Sequence, residues 1–198
     1  DLPAPTIISW WWNLGFLGGL CMTHQTVPGL LLALYYTADV SLAFASVSLI
    51  CRDVHGGWLL QKLHAGGAVF FFCCFYHAIG GSVYDGSHLF KQKWKIGVAL
   101  LLLLMATAFA GYVLPWWQMM FLGGAVITNL LSSVPYIGGT TMEWIWGGGS
   151  SENSALLTLF AFYFFLLFLI IPATMLRLLL FHETGDHNTP GENSHSEK

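Results

Sequence analysis

Two histidines lie in one long, mostly apolar segment, and their spacing decides what chemistry they could share. His64 and His77 fall within the segment from about Gly57 to Tyr84. Ionisable groups inside a membrane segment are costly, so they mark candidate functional sites. Imidazole is an axial ligand of haem iron, and an iron held by two histidines carries single electrons. The alternative for each histidine is a hydrogen bond between neighbouring helices.

The separation of these two histidines does not suit two stacked haems. On an ideal helix, fourteen positions would leave two side chains roughly 40° apart and about 21 Å along the axis. His64 and His77 are thirteen positions apart, which turns them roughly 140° apart. We therefore expect both to serve one seam of the bundle only if the helix contains a local bulge.

Small residues in the neighbouring apolar segments could bring a flat macrocycle close to the backbone. Gly15 and Gly29 lie in the first segment, and Gly97 and Gly111 lie in the third. The same glycines also suit ordinary helix packing in a membrane. Their spacing alone leaves both roles open.

The composition places these residues in a membrane. The chain has 198 residues, of which 56% are hydrophobic and only 9% are charged, and its net charge is -3. Soluble domains carry about 25% charged residues, and a nucleic-acid-binding domain would carry a basic surface. No CxxC motif is present, so the four cysteines are predicted to be small packing residues rather than metal ligands or a disulfide framework.

Four apolar segments are long enough to cross a bilayer, which takes about 20 residues. They run over about 12–36, 57–84, 96–117 and 156–181. The stretch 118–154 mixes aromatic residues with Gly, Ser, Thr and Asn, which predicts short amphipathic helices at the membrane interface. The sequence therefore predicts an all-α membrane protein: a four-helix transmembrane bundle at 1–182 with interfacial helices between helices 3 and 4, and a polar C-terminal tail at 183–198.

Two further features concern how the spans sit in the membrane. Lys91, Lys93 and Lys95 precede the third span, whereas 118–154 carries no Lys or Arg. The positive-inside rule then places both termini and the 86–95 loop on the more negative side. In the first span, His24 and Gln25 precede Pro28, which predicts a kink whose polar groups are satisfied internally.

The motifs along the chain resemble those of the N-terminal, four-helix half of mitochondrial cytochrome b. The resemblance is carried, in order, by DLPAPTIISWWWNLG, ICRDVHGGW, HAGGA, IGVALLLLLMATAFAGYVLPWWQM, VITNLLSSVPYIGG, EWIWGG and LLLFHETG. It implies a bundle around two b haems stacked across the membrane. Quinol would be oxidised at one face and quinone reduced at the other.

The resemblance also assigns roles to individual residues. The family's glycines for haem approach correspond to Gly15, Gly29, Gly97 and Gly111. His64 corresponds to a ligand of the haem nearer the positive side. His182 corresponds to a histidine near the quinone-reduction pocket.

Several ligand positions depart from the family pattern. The fourth helix carries Tyr163 and Arg177 where the family has two histidines fourteen apart. His77 is displaced by one residue from the second ligand of the second helix. Gln61 stands where the family uses an arginine for a haem propionate. In this chain the family's PWGQ motif reads PWWQ, with Trp117 in place of glycine.

The replacements differ in what they could do for iron. Tyrosine can ligate ferric haem, so a His64–Tyr163 pair is one reading. Arginine stays protonated and has no lone pair to donate. Arg177 is therefore expected to anchor the helix at the interface or to hold a propionate.

Three functions remain open at the level of sequence. The first is a membrane electron-transfer subunit of a ubiquinol–cytochrome c reductase in the mitochondrial inner membrane, with haem b and ubiquinone; a bacterial membrane is the alternative. The second is a haem-poor or haem-free relative with a structural role. The third is a membrane haem carrier or channel-like bundle unrelated to quinol chemistry.

The first function implies partners. The resemblance implies membrane lipid, a C-terminal half of cytochrome b on another chain or missing here, an iron–sulfur protein, a c-type cytochrome and a dimeric complex. No nucleic acid is expected, and no residue is predicted to be catalytic. The chain would be a component of a quinol oxidoreductase rather than an enzyme by itself.

Overall fold

The structure, a computed structural model, describes residues 14–84, 86–89, 91–146 and 152–184. In these ranges the chain forms α-helices and a short 3-10 helix, Ser87–Leu89, and no strand. The helices are α1 (Leu14–Ala33), α2 (Ala43–Arg52), α3 (Gly57–Tyr84), α4 (Lys91–Val113), α5 (Gln118–Ser132), α6 (Gly138–Ile145) and α7 (Glu152–Thr184).

Three of these helices are long and apolar enough to cross a membrane: α3, α4 and residues 153–180 of α7. Only 11% to 28% of each apolar window is buried inside the structure. Such apolar outer faces suit lipid or a partner subunit rather than water. With α1, whose 20 residues equal the length of a span, they confirm the predicted four-helix membrane architecture. α5 and α6 lie where the short helices between spans three and four are predicted.

α1 contains polar residues near its middle. The hydroxyl of Thr23 donates to the carbonyl of Gly19 at 3.2 Å, and that of Thr26 donates to the carbonyl of Met22 at 2.9 Å. Such bonds to the preceding turn satisfy hydroxyls inside an apolar helix. Pro28 lies inside the helix as well and lacks the N–H that would bond the preceding turn.

α2 is an element that the sequence reading did not predict. This ten-residue helix lies in the connection between the first two spans, and it turns sharply into α3. A Cβ atom on Gly57 would lie 2.0 Å from the backbone oxygen of Ile50, and Gly56 has a φ of +71°. The close approach of the two helices therefore requires glycine at this corner.

The chain divides into two compact units. The first contains the described parts of residues 1–28, 62–102 and 170–198, and the second contains those of 29–61 and 103–169. The interior of the first includes Cys21, Phe71, Cys74, Leu100 and Ile170. The interior of the second includes Ala43, Ile50, Val113, Leu156 and Leu166.

Candidate functional site

In the second unit, Tyr163 of α7 lies directly against Gly111 of α4. A Cβ atom on Gly111 would lie 3.1 Å from Cε2 and 3.6 Å from Cδ2 of the tyrosine ring. The ring also makes an edge contact with Phe164, with centroids 6.0 Å apart. The side chain at a predicted ligand position thus fills the space beside the predicted haem-approach glycine.

In the first unit, Arg177 of α7 lies against Gly97 of α4 in the same manner. The guanidinium atoms are 3.7 to 3.8 Å from the position that a Cβ atom on Gly97 would take. The guanidinium carbon is also 5.6 Å from the ring centroid of Phe75, within the range of a cation–π interaction. Gly97 thus leaves space for the guanidinium, and the Phe75 ring lies against it.

His64 belongs to a polar cluster in the first unit. Its imidazole is half-buried and interacts with the backbone of Gln25 and electrostatically with His24. Its Nδ1 atom and both amide atoms of Gln25 are buried with no hydrogen-bond partner in the part of the chain that the structure describes. Gly67 makes room for this cluster, because a Cβ there would lie 3.0 Å from Gln25 Nε2 and 3.1 Å from His24 Nδ1.

The expectation that the polar groups before Pro28 are satisfied internally is therefore wrong for Gln25. The hydroxyls of Thr23 and Thr26 reach the carbonyls of their own helix. The longer amide of Gln25 points instead toward α3 and finds no donor or acceptor there. Buried polar atoms without partners are rare and call for a ligand, a water or an ion.

The other predicted site residues are more dispersed. His77 is exposed, in contrast to the half-buried His64 on the same helix. Gly29 lies in α1 and is half-buried. The surroundings of Gly15 and His182, and the tail from 185 onward, lie outside what the structure describes.

The PWWQ turn places its two rings differently. Trp116 has a φ of +47°, in the left-handed region that favours glycine. Trp117, at the position of the family's glycine, is exposed, and its ring centroid is 6.3 Å from that of Phe44. Here the strained residue is the one before the position at which the motif departs.

The burial of one charged residue of the first unit is not predicted by the sequence analysis. Lys93 is only 6% exposed, although the neighbouring lysines 91 and 95 are exposed. With Arg177 and Trp94 it lines a cavity of about 120 Å³. Its position four residues before Gly97 placed it on the same face of α4, and that spacing was the available signal.

Two carboxyl groups outside the spans have pKa values that are lowered by neighbouring residues. The Ser41 hydroxyl and backbone N–H both donate to Asp39 and lower the pKa of its carboxyl. The adjacent Arg52 lowers the pKa of Asp53 through a hydrogen-bonded ion pair at 2.9 Å. Neither group takes part in the clusters described above.

The residues present can be tested against a b haem. A partly buried imidazole with an unpartnered nitrogen fits one axial ligand, so His64 suits the group. Arg177 stands at a position of α7 where the resemblance implies a haem ligand. It cannot donate to iron and its guanidinium covers Gly97, so these residues do not fit a second haem. Within the described residues, no cluster of three or more His, Cys, Asp or Glu side chains offers another metal site.

The chain is similar to a known protein family and to solved structures. A family model described as Cytochrome b/b6/petB matches residues 1–185. Among solved structures, a chain of a hyperthermophilic respiratory Complex III superposes with a TM-score of 0.87 at 24% identity. That match covers 98% of this chain and 52% of the other, so the chain spans about half the length of its match. At this identity the structural similarity establishes the fold.

Proposed function

The chain belongs to the cytochrome b family, and we propose that it is a membrane electron-transfer subunit of a ubiquinol–cytochrome c reductase. In this role it contributes to the sites of quinol oxidation and quinone reduction. The observation that carries the proposal is His64: an imidazole with an unpartnered nitrogen, half-buried on a membrane-spanning helix of this family. Such a group could hold haem iron.

In this proposal His64 would hold one b haem through an imidazole nitrogen, and the haem would supply one-electron transfer. The chain's own residues would position and tune the group. Gln25, whose buried amide also lacks a partner, offers a donor and an acceptor beside it.

The proposed partners rest on the family resemblance and on the share of the matched chain that is covered. The chain spans about half of the matched chain, so we propose that a C-terminal half of cytochrome b completes the quinone sites. An iron–sulfur protein and a c-type cytochrome would carry electrons onward, in a dimeric complex of the mitochondrial inner membrane. His182, in the motif FHETG, is the proposed contact to the quinone-reduction pocket.

A second candidate is a haem-free structural subunit of the same complex. Two contacts favour it, because Tyr163 covers Gly111 and Arg177 covers Gly97. Both glycines would then serve close helix packing rather than haem approach.

A reduced-minus-oxidised difference spectrum, with the haem-to-protein ratio, separates the two candidates. We expect a single b-type band at about one haem per chain, lost in His64→Ala and kept in His77→Ala, which serves as the matched control on the same helix. A spectrum with no haem band would exclude electron transfer and leave the structural role. A band that persists in His64→Ala would remove the proposed ligand.

A further inference from the structure

Two cysteines of the first unit lie beside each other, although they belong to different helices. Cys21 comes from α1 and Cys74 comes from α3, and their thiols interact through a side-chain hydrogen bond. They are 8% and 4% exposed, and both are free thiols. The pair therefore lies inside the unit, where the two helices meet.

A second contact between the same helices supports this pairing. A Cβ atom on Gly67 of α3 would lie 3.0 Å from Nε2 of Gln25 on α1. Cys21 precedes Gln25 by one helical turn, and Cys74 follows Gly67 by two turns, so each cysteine lies on the same face of its helix as the residue of the second contact. The two contacts run in opposite directions along the chain, as they do between antiparallel helices, and they belong to one seam.

The number of nearby ligands limits what the two thiols can do. A structural zinc site takes four protein ligands. Among the residues that the structure describes, no group of three or more His, Cys, Asp or Glu side chains could hold a metal ion. The reaction that two facing thiols can carry out by themselves is the formation of a disulfide bond, and their hydrogen bond brings the two sulfur atoms together for it.

We propose that Cys21 and Cys74 form a reversible disulfide that joins α1 to α3 when the protein meets hydrogen peroxide. Peroxide oxidises the first thiol to a sulfenic acid and releases one water. The second thiol attacks that sulfur, the S–S bond forms, and the sulfenic oxygen leaves with the proton of the second thiol as another water. Two thiols are thus oxidised, and one peroxide is reduced to two waters. Cys21 is the more exposed of the pair, so it reacts first and Cys74 resolves it.

The other two cysteines of the chain are not placed for this reaction. Cys73 is adjacent to Cys74 in the chain, but successive residues of a helix point about 100° apart, and Cys73 is exposed. Cys51 is half-buried and lies at the end of α2, in the second unit. Both are therefore matched controls for the pair.

The test uses the full chain in phosphatidylcholine vesicles that are treated with hydrogen peroxide and then digested with trypsin. Arg52 and Lys62 are the only Lys or Arg residues between the two cysteines, so digestion separates the fragment of α1 from that of α3. Mass spectrometry without reductant should find the two fragments linked, and dithiothreitol should release them. Chains that remain monomeric on a non-reducing gel show that the link is within one chain.

Variants assign the bond to its residues. Cys21→Ala and Cys74→Ala should each abolish the link, whereas Cys73→Ala and Cys51→Ala should keep it. A link that survives in Cys74→Ala and is lost in Cys73→Ala would overturn the proposal, as would fragments of the unchanged chain that stay separate after oxidation. A link found only between two copies of the chain would overturn it too.

Thermal unfolding provides a second measurement that needs no variant. A crosslink removes conformations from the unfolded chain, so oxidation should raise the melting temperature of the unchanged chain, and dithiothreitol should reverse the rise. Cys74→Ala, checked for helix content by circular dichroism, should show no such rise. A rise of the same size in that variant would overturn the proposal, because oxidation elsewhere would then explain it.

Discussion

The contacts Tyr163–Gly111 and Arg177–Gly97 differ in the space beside the glycine. Both pair a residue of α7 with a glycine of α4, and both occur where the family resemblance implies a haem. In the second unit an aromatic ring lies against the glycine, 3.1 Å from the position that a Cβ atom there would take. In the first unit a guanidinium lies against the glycine beside a cavity of about 120 Å³.

The difference depends on the side chain that α7 places against each glycine. A Cβ atom on Gly111 would lie closer to the Tyr163 ring than ordinary van der Waals contact allows, so the aromatic side chain packs tightly against α4. The charged replacement is accompanied by a cavity with a second cation. The side chain at each α7 position thus decides whether the space beside the glycine is packed or forms a polar cavity.

The largest expected effect comes from restoring the imidazole in the second unit. Tyr163→His should tighten haem binding about tenfold, or about 1.4 kcal/mol, because it adds an imidazole that can hold iron and the smaller ring opens space at Gly111. Arg177→His should give no comparable gain, because His77 is exposed and thirteen residues from His64. Haem titration followed by absorbance measures both.

The control for that comparison is Tyr163→Phe, which keeps the ring and removes the oxygen. It should bind no more haem than the unchanged chain. A gain in Arg177→His equal to that in Tyr163→His would show that the two units do not differ as described.

An intermediate effect is expected from filling the two glycines. Gly111→Ala should lower the free energy of unfolding by about 1–3 kcal/mol, because its Cβ would press on a ring at 3.1 Å. Gly97→Ala should cost less than about 1 kcal/mol, since the guanidinium lies at 3.7 Å and its flexible chain can yield. Thermal unfolding in detergent, followed by circular dichroism, gives both values.

Helical glycines with open space provide the reference for this pair. No atom lies within 4 Å of a Cβ built on Gly80 or Gly123, so Ala at either position reports helix propensity alone. Equal melting shifts for Gly111→Ala and Gly97→Ala, after this correction, would contradict the contrast between ring and guanidinium.

The smallest effect concerns Asp39, in the connection of the second unit, and tests whether that unit depends on a charge at all. Hydrogen bonds from Ser41 lower the pKa of Asp39 in the folded chain. Its stabilising contribution is therefore present above the ordinary carboxyl pKa of about 3.9 and is lost as the pH falls through the lower folded value. Asp39→Asn should lower the melting temperature slightly at pH 7 and not at all in acid. A difference that is constant with pH would exclude this role.

The sequence predicts the spans far better than the contacts between them. α3 is found at the predicted Gly57–Tyr84, because its apolar run is bounded by clear turns. The sequence does not predict α2, because a ten-residue apolar helix lacks the length that identifies a span. α4 begins at Lys91 rather than at 96, since its lysines belong to the helix and not to the loop before it.

The site divides in the same way. The spacing of fourteen between Gly97 and Gly111, and between Tyr163 and Arg177, is legible in the sequence. Which side chain covers which glycine depends on rotamers and on the packing of neighbouring residues, and no one-dimensional pattern contains that information. The burial of Lys93 was overlooked for a related reason, because its charge was used only to orient the spans.

The polar middle of α1 has a consequence for how the chain enters the bilayer. His24 and Gln25 raise the free energy of transferring this helix into lipid, and α1 is absent from the three helices that are apolar enough to cross on composition alone. Gly67 of α3 provides the place where both side chains pack. We expect a chain truncated after α1 to integrate poorly in glycosylation mapping, and one that includes α3 to integrate fully. Biogenesis of this protein would then proceed by insertion of a helix pair, with the second helix securing the first.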